Sequence, residues 1–257
     1  MAGNKALIGA QMYTLRDHCK TPADIARSCA RVKAMGYDGI QASALGPIEP
    51  TELKRILDGE GLHCAATHTG LDAMRSSPQK VIADHQILGC HYTAIGGYFP
   101  REEWTRALWE AFVVDYNAVA AGFAGSGVSI GYHNHSHELA SAQGVLPLQL
   151  LVDTLSPSVW MEIDTFWITH GGGDPAAWID KVAGRIPCVH FKDMMINPKR
   201  EQKMCEIGSG NLNWPRIIES CRQAGVQWYL VERDSGELDP FDSLKISVEN
   251  MRGKLGL

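Results

Sequence analysis

The chain has 257 residues, 45% of them hydrophobic, with a formal net charge of -5 and a pI near 6.0. That length and apolar content suit one (β/α)8 barrel, and the acidic balance, without a basic run or a basic-aromatic stripe, excludes nucleic acid as a partner. No stretch holds the ~20 unbroken apolar residues of a membrane span.

Strand and helix signals alternate from end to end. Met1–Lys5 lead into a first strand, Ala6–Gln11, without a signal-peptide core. Thr21-Pro22 reads as an N-cap with proline at the first helical position, and that helix stops at Gly36. A second strand follows over 39–42, a helix over 51–60 closed by Gly61, and a third strand over 64–68. Ser77-Pro78 opens the next helix, strand four spans 92–95, and a long helix runs from about Arg101 to Ala124. In the second half, strands are expected over 128–133, 159–163, 187–191 and 228–231, with helices over 146–155, 175–183, 214–224 and 240–251. Eight such pairs, with no Pro- or Ser-rich linker, imply one domain over 1–257, a single (β/α)8 TIM barrel. The seven cysteines are odd in number and form no CxxC pair, which fits reduced, buried thiols in a cytoplasmic protein.

Two glycine clusters, Gly171-Gly-Gly173 and Gly208-Ser-Gly210, lack the spacing of a nucleotide loop and read as strand-to-helix connections. Tyr13, Arg16 and Asp17 follow strand one and either face the pocket or cap the next helix. Trp104, Trp109 and Trp178 read as helix packing, Trp160 and Trp228 as core.

The chemistry sits where apolar strands stop. Strand six ends on Asp164, strand seven carries His190, and Glu232 follows strand eight. In a barrel these ends are neighbours on the C-terminal face, where such enzymes build their sites. Two carboxylates and an imidazole suit Mn2+, Mg2+, Co2+ or Zn2+. Cys188, His190 and Lys192 alternate and so share a face. Strand five runs into His133-Asn-His135-Ser-His-Glu138, where either His133 or Glu138 supplies a fourth ligand and the other meets substrate. Lys192 is placed to stabilise an enolate oxygen. His68 ends strand three and is read as substrate-binding, as are His135 and Trp167; Glu206 is a weaker candidate.

The segments Gln11–Asp17, Tyr132-His-Asn-His135, Ile163-Asp-Thr-Phe-Trp167, Val189-His-Phe-Lys-Asp193, Gly208–Asn211 and Leu230-Val-Glu-Arg-Asp234 resemble the xylose-isomerase-like sugar phosphate isomerase/epimerase superfamily over essentially the whole chain. The resemblance implies a TIM barrel holding one divalent metal, Mn2+ foremost, with Asp164, His190 and Glu232 as three ligands. The related ketose epimerases end strand five on a metal-bound glutamate, where this chain has His133. Relatives with a His-Asn-His-x-x-Glu variant carry the Glu seen here at 138. Glu138 is therefore expected as the fourth ligand, with Glu232, His133 and Lys192 catalytic.

The function so implied is proton transfer beside a metal-polarised carbonyl, in an isomerase or epimerase of a sugar or sugar phosphate. A metal-dependent lyase or dehydratase of a keto-sugar, keto-glycoside or inosose-like ketone is the alternative, because one-sided proton abstraction ends in elimination. A non-catalytic barrel subunit is the reading from another class. The expected partner is a small carbohydrate, with a homo-oligomer left open. A DNA-repair endonuclease of similar fold needs a metal cluster and a cationic surface, and the net charge of -5 speaks against it.

Overall fold

The computed structural model describes residues 6–101 and 104–257. Met1–Lys5, and two residues within the expected Arg101–Ala124 helix, lie outside the described residues. Eight parallel strands close into a barrel: β1 (Leu7–Gln11), β2 (Gly39–Ala42), β3 (His63–His68), β4 (Tyr92–Ile95), β5 (Ser129–His133), β6 (Trp160–Asp164), β7 (Cys188–Phe191) and β10 (Trp228–Val231). Around the ring the order is β1, β10, β7, β6, β5, β4, β3, β2, so β1 pairs with β10 through Ala10 and Val231. The expected TIM barrel is the observed fold.

Helices α1 (Pro22–Ala34), α2 (Pro50–Glu60), α3 (Leu71–Ser76), α4 (Pro78–Leu88), α5 (Arg106–Ala121), α6 (Pro147–Thr154), α7 (Thr165–His170), α8 (Pro175–Lys181), α9 (Trp214–Ala224) and α10 (Pro240–Gly253) surround it. Local chemistry sets their ends. Thr21 and Asp24 form a capping box at the start of α1, which satisfies two orphan amides reciprocally. Gly61 ends α2 at φ 64°, the left-handed conformation that glycine adopts without a Cβ penalty.

Five features were not expected from sequence. A 3-10 segment, Met12–His18, follows β1; short helices, α3 and α7, precede α4 and α8; a 3-10 turn, His137–Leu139, follows β5; and an antiparallel hairpin, β8 (Asp193–Ile196) with β9 (Gln202–Cys205), rises after β7. The hairpin has no clear sequence signal because its strands are only four residues each, largely exposed, and the single short apolar run, Met194–Ile196, follows closely on β7.

The barrel interior is filled in two parts. Its lower part is apolar: Ala65, Ala66, Ala94, Trp160, Cys188, Trp228 and Leu230 form one cluster. A Cβ on Gly131 would lie 2.3 Å from the Trp160 ring, so the glycine makes room for the indole. Above this plug the inward positions become ionisable. Trp160, Glu162 and Asp164 climb β6 in steps of two, and Cys188, His190 and Lys192 climb β7. The second, larger apolar core lies between strands and helices.

Candidate metal centre and pocket

His133, Asp164, His190 and Glu232 offer one ligand atom each within 4.8 Å of one another, and all four are buried. Each is positioned by a separate device. The Asp164 Oδ1 accepts from the Trp167 amide at 2.9 Å as the cap of α7, which leaves Oδ2 facing the group. His133 Nδ1 lies 3.3 Å from the Gly96 carbonyl, and its Nε2 lies 3.3 Å from Asp164 Oδ2. A carbonyl only accepts, so Nδ1 carries the proton and Nε2 presents a lone pair. His190 Nε2 meets the Gln41 carbonyl oxygen at 2.6 Å, while Nδ1 lies 2.9 Å from Glu232 Oε2. Yet His190 Nδ1 and Glu232 Oε2 are both buried without a hydrogen-bond partner. They approach each other, but not along a hydrogen-bonding direction.

Lys192 is the counter-cation. Its Nζ lies 2.7 Å from Glu232 Oε2, 3.1 Å from Asp164 Oδ2 and 3.0 Å from Asp234 Oδ2. Burial alone would raise the Glu232 carboxyl, but the charges of Lys192 and His190 outweigh it and hold it well below the carboxylate range. Asp164 is held low in the same way, against its burial, chiefly by the charge of Lys192. Burial lowers His133, with His190 adding to the effect, so it stays neutral. His190 moves oppositely: burial would lower it, and Glu162 and Glu232 outweigh that and raise it well above the imidazole range. The carboxylates around His190 thus favour a cation at its Nδ1, whether a proton or a metal ion.

His133, Glu232 and Lys192 reach the floor of a cavity of about 490 Å3, whose walls include Gln11, Tyr13, Ser43, His68, His135 and Trp167, while Asp164 and His190 lie beneath it. Its size is that of a small-molecule site. His135 and Trp167 make one wall, with ring centroids 5.2 Å apart; Phe99, 61% exposed, stands at the mouth, 4.9 Å from His135. Burial, together with His133 and Lys192, lowers His135 to about 2, so it meets a ligand as a neutral ring.

The model of the xylose isomerase-like TIM barrel family matches residues 29–253. The chain belongs to that family. A curated relative, the rhizopine catabolism protein MocC of Rhizobium meliloti, is 23% identical over 86% of this chain and 79% of its own length. An inosose dehydratase of Geobacillus thermodenitrificans is 26% identical over 60% of this chain and 57% of its own length. Among solved structures, a sugar phosphate isomerase/epimerase from Parabacteroides distasonis superposes with a TM-score of 0.80 at 21% identity, covering 98% of this chain and 96% of that one. The xylose isomerase-like family therefore surrounds this chain with isomerases, epimerases and dehydratases.

Within the family barrel the expected residues fall into three sets. Asp164, His190 and Glu232 converge, and His68, His135, Trp167 and Lys192 line or border the same cavity. Glu138 does not join them. Its Oε1 accepts from Tyr132 Oη at 2.7 Å and its Oε2 from the His135 amide at 2.9 Å, so both oxygens are used in folding the loop after β5. Its place in the group is taken by His133, the last residue of β5, because a strand end points into the barrel mouth and a residue in the following 3-10 turn need not. Glu206 is also turned away, binding Arg233 at 2.6 Å and Ser243 at 2.8 Å. The amides of Gly208 and Gly210 cradle the Asp193 carboxylate at 2.9 and 3.0 Å, so this loop is a structural latch for a side chain. Tyr13 lines the cavity, Arg16 bridges the Tyr13 and Asp234 carbonyls, and Asp17 pairs with Lys20. All seven cysteines are buried and unpaired.

Sequence reasoning missed Gln41, Glu162 and Asp234. Glu162 was legible in principle: it stands two before Asp164 on a strand, hence on the same inward face. No helix among the described residues is long and apolar enough to cross a membrane.

Proposed function

We propose that this chain is a divalent-metal-dependent isomerase or epimerase of a carbohydrate, in which the ion is held by His133 Nε2, Asp164 Oδ2, His190 Nδ1 and Glu232 Oε2. The observation that carries this is the convergence of four buried ligand atoms beneath the cavity, among which His190 Nδ1 makes no hydrogen bond and Glu232 Oε2 is met only by the charge of Lys192 and by that imidazole. Buried polar groups are nearly always satisfied. Two imidazoles and two carboxylates form a donor set for Mn2+, Zn2+ or Co2+.

When bound, such an ion polarises a substrate carbonyl and acidifies the adjacent carbon-bound hydrogen. Glu232, ionised and at the cavity floor, takes that proton. Lys192, with its buried ammonium 2.7 Å from Glu232, balances negative charge that develops on the substrate oxygens. His68 stands at the end of β3, across the barrel mouth from Glu232, and its imidazole is the second proton carrier that a two-sided transfer requires. His135 and Trp167 form a neutral wall for the sugar ring, in a cavity shaped for a small carbohydrate.

Elimination is the second reading, as a dehydratase of a keto-sugar or inosose-like ketone. It is favoured by an imidazole, His133, in the place where the related epimerases carry a glutamate, and by the similarity to an inosose dehydratase.

Metal-loaded protein incubated in D2O with ketoses, keto-glycosides and inosose-like ketones tests both readings. Deuterium uptake at one carbon with retention of all oxygens supports isomerisation or epimerisation, and loss of water with a new conjugated ketone supports elimination. Glu232→Gln should slow either by at least ~100-fold, the scale of a lost general base. Near-normal turnover of that variant at saturating metal would refute the role given to Glu232.

A further inference from the structure

Glu162 lies beneath the proposed metal group and belongs to no part of the mechanism above. It is fully buried inside the barrel. Its Oε1 accepts from Gln41 Nε2 at 2.8 Å, and its Oε2 meets His68 Nε2 at 2.8 Å. The far end of Gln41 presents its carbonyl oxygen to His190 Nε2 at 2.6 Å. His190 Nε2 also lies 3.3 Å from Glu162 Oε1.

Gln41 Nε2 donates to one oxygen of Glu162, and the side chain, as a carboxylate, accepts at the other oxygen too. The consequences run outward in two directions. Towards His68, the carboxylate requires a proton on Nε2, so Nδ1 keeps its lone pair. That nitrogen lies 3.2 Å from the Ser43 hydroxyl, at the cavity wall. Towards His190, the carboxylate takes the amide end of Gln41 and thereby turns the Gln41 carbonyl to the imidazole. A proton on His190 Nε2 is then required, and Nδ1 is left for the metal group.

We infer that Glu162, acting through Gln41, is a positioning residue that sets the tautomers of two imidazoles at once, making Nδ1 of His68 the acceptor that faces the pocket and Nδ1 of His190 the ligand atom. The His190 half rests on the metal reading above; the His68 half does not.

Glu162→Gln keeps the shape and replaces one acceptor with a donor. With its amide towards His68, the new side chain forces that ring to carry its proton on Nδ1, which Ser43 Oγ accepts without movement. With its amide towards Gln41, Gln41 must turn and the His190 ring must reverse. The first arrangement disturbs fewer groups. The double variant Glu162→Gln/Gln41→Glu returns the acceptors. The carboxylate introduced at position 41 accepts from His190 and from the amide introduced at position 162, whose carbonyl oxygen in turn accepts from His68.

Long-range 1H–15N correlation spectra of histidine-labelled protein report the tautomers, His68 in the metal-free form and His190 in the Zn2+-loaded form, alongside Zn2+ affinity by competition. The inference expects His68 Nε2–H in the natural protein, Nδ1–H in Glu162→Gln with the His190 tautomer kept and Zn2+ affinity within a few-fold, and the Nε2–H form of His68 back in the double variant. His68 unchanged in Glu162→Gln, or left reversed in the double variant, would overturn it. Should Glu162→Gln fail to fold, the double variant decides alone, by His68 as Nε2–H or as Nδ1–H. If the natural protein takes up no Zn2+, the metal reading fails, and the His68 spectra still decide this inference.

Discussion

The lower and upper halves of the barrel interior are built on the same strands and solve opposite problems. Below, Trp160, Trp228, Ala94 and Leu230 fill the space with apolar atoms and ask only for shape. Above, Glu162, Asp164, His190, Lys192 and Glu232 are equally buried, yet each must find a partner of opposite charge or a hydrogen bond. One or two steps of two residues along β6 or β7 separate the two regimes. The lower half can be judged by volume, whereas the upper half is a set of charges held together by one another, so removal of one member exposes the rest. Charge removal above should therefore cost more than a volume error below.

Lys192→Met is the largest expected effect. It leaves the Asp164, Glu232 and Asp234 carboxylates facing one another without their ammonium, and breaking such a buried network typically costs about 3–5 kcal/mol. Chemical denaturation of the metal-free protein measures it, and saturating Zn2+ should recover part of the loss. A variant as stable as the natural protein without metal would show that the carboxylates are not balanced by Lys192.

Gly131→Ala tests the lower half. The added Cβ would lie 2.3 Å from the Trp160 ring, and overpacking of this kind costs about 1–3 kcal/mol. The thermal midpoint should fall while Zn2+ affinity per folded molecule stays within a few-fold. Loss of affinity in step with stability would mean that the two halves are coupled.

How much of this was readable beforehand follows the same division. The barrel was legible because buried parallel strands are continuous apolar runs closed by helix caps such as Thr21-Pro22 and Ser77-Pro78. Asp164, His190 and Glu232 were legible because three successive apolar runs each stop on an ionisable residue, and a barrel gathers those ends on one face. Lys192, His68, His135 and Trp167 were legible as neighbours of those ends. Spacing alone puts Glu162 on the inward face with Asp164, but its partners were not legible, because only the closed ring brings Gln41, His68 and His190 to the same carboxylate. Which of His133 and Glu138 stands beside Asp164 was also beyond sequence, because it depends on how the 3-10 turn at His137–Leu139 folds Glu138 back onto Tyr132.

Glu138 supplies the smallest expected effect. Burial raises its carboxyl from an ordinary value near 4.5 to about 7. A carboxyl raised in the folded state favours folding below its ordinary value, and that contribution is lost as pH rises through 7. Stability of the natural protein should therefore fall, relative to Glu138→Gln, by up to about 1.4 kcal/mol per pH unit between pH 5 and 7. Parallel pH–stability curves for the two proteins would contradict a buried carboxyl at this position.

The central claim, that the ion is held at the end of β5 by His133 while Glu138 only folds the loop behind it, is tested most directly by one comparison. Zn2+ stoichiometry and affinity should be measured side by side for His133→Ala and Glu138→Gln, with folding checked by circular dichroism. The account predicts at least ~10–100-fold weaker binding in His133→Ala and affinity within a few-fold of the natural protein in Glu138→Gln. The reverse pattern, with metal kept by His133→Ala and lost from Glu138→Gln, would contradict it.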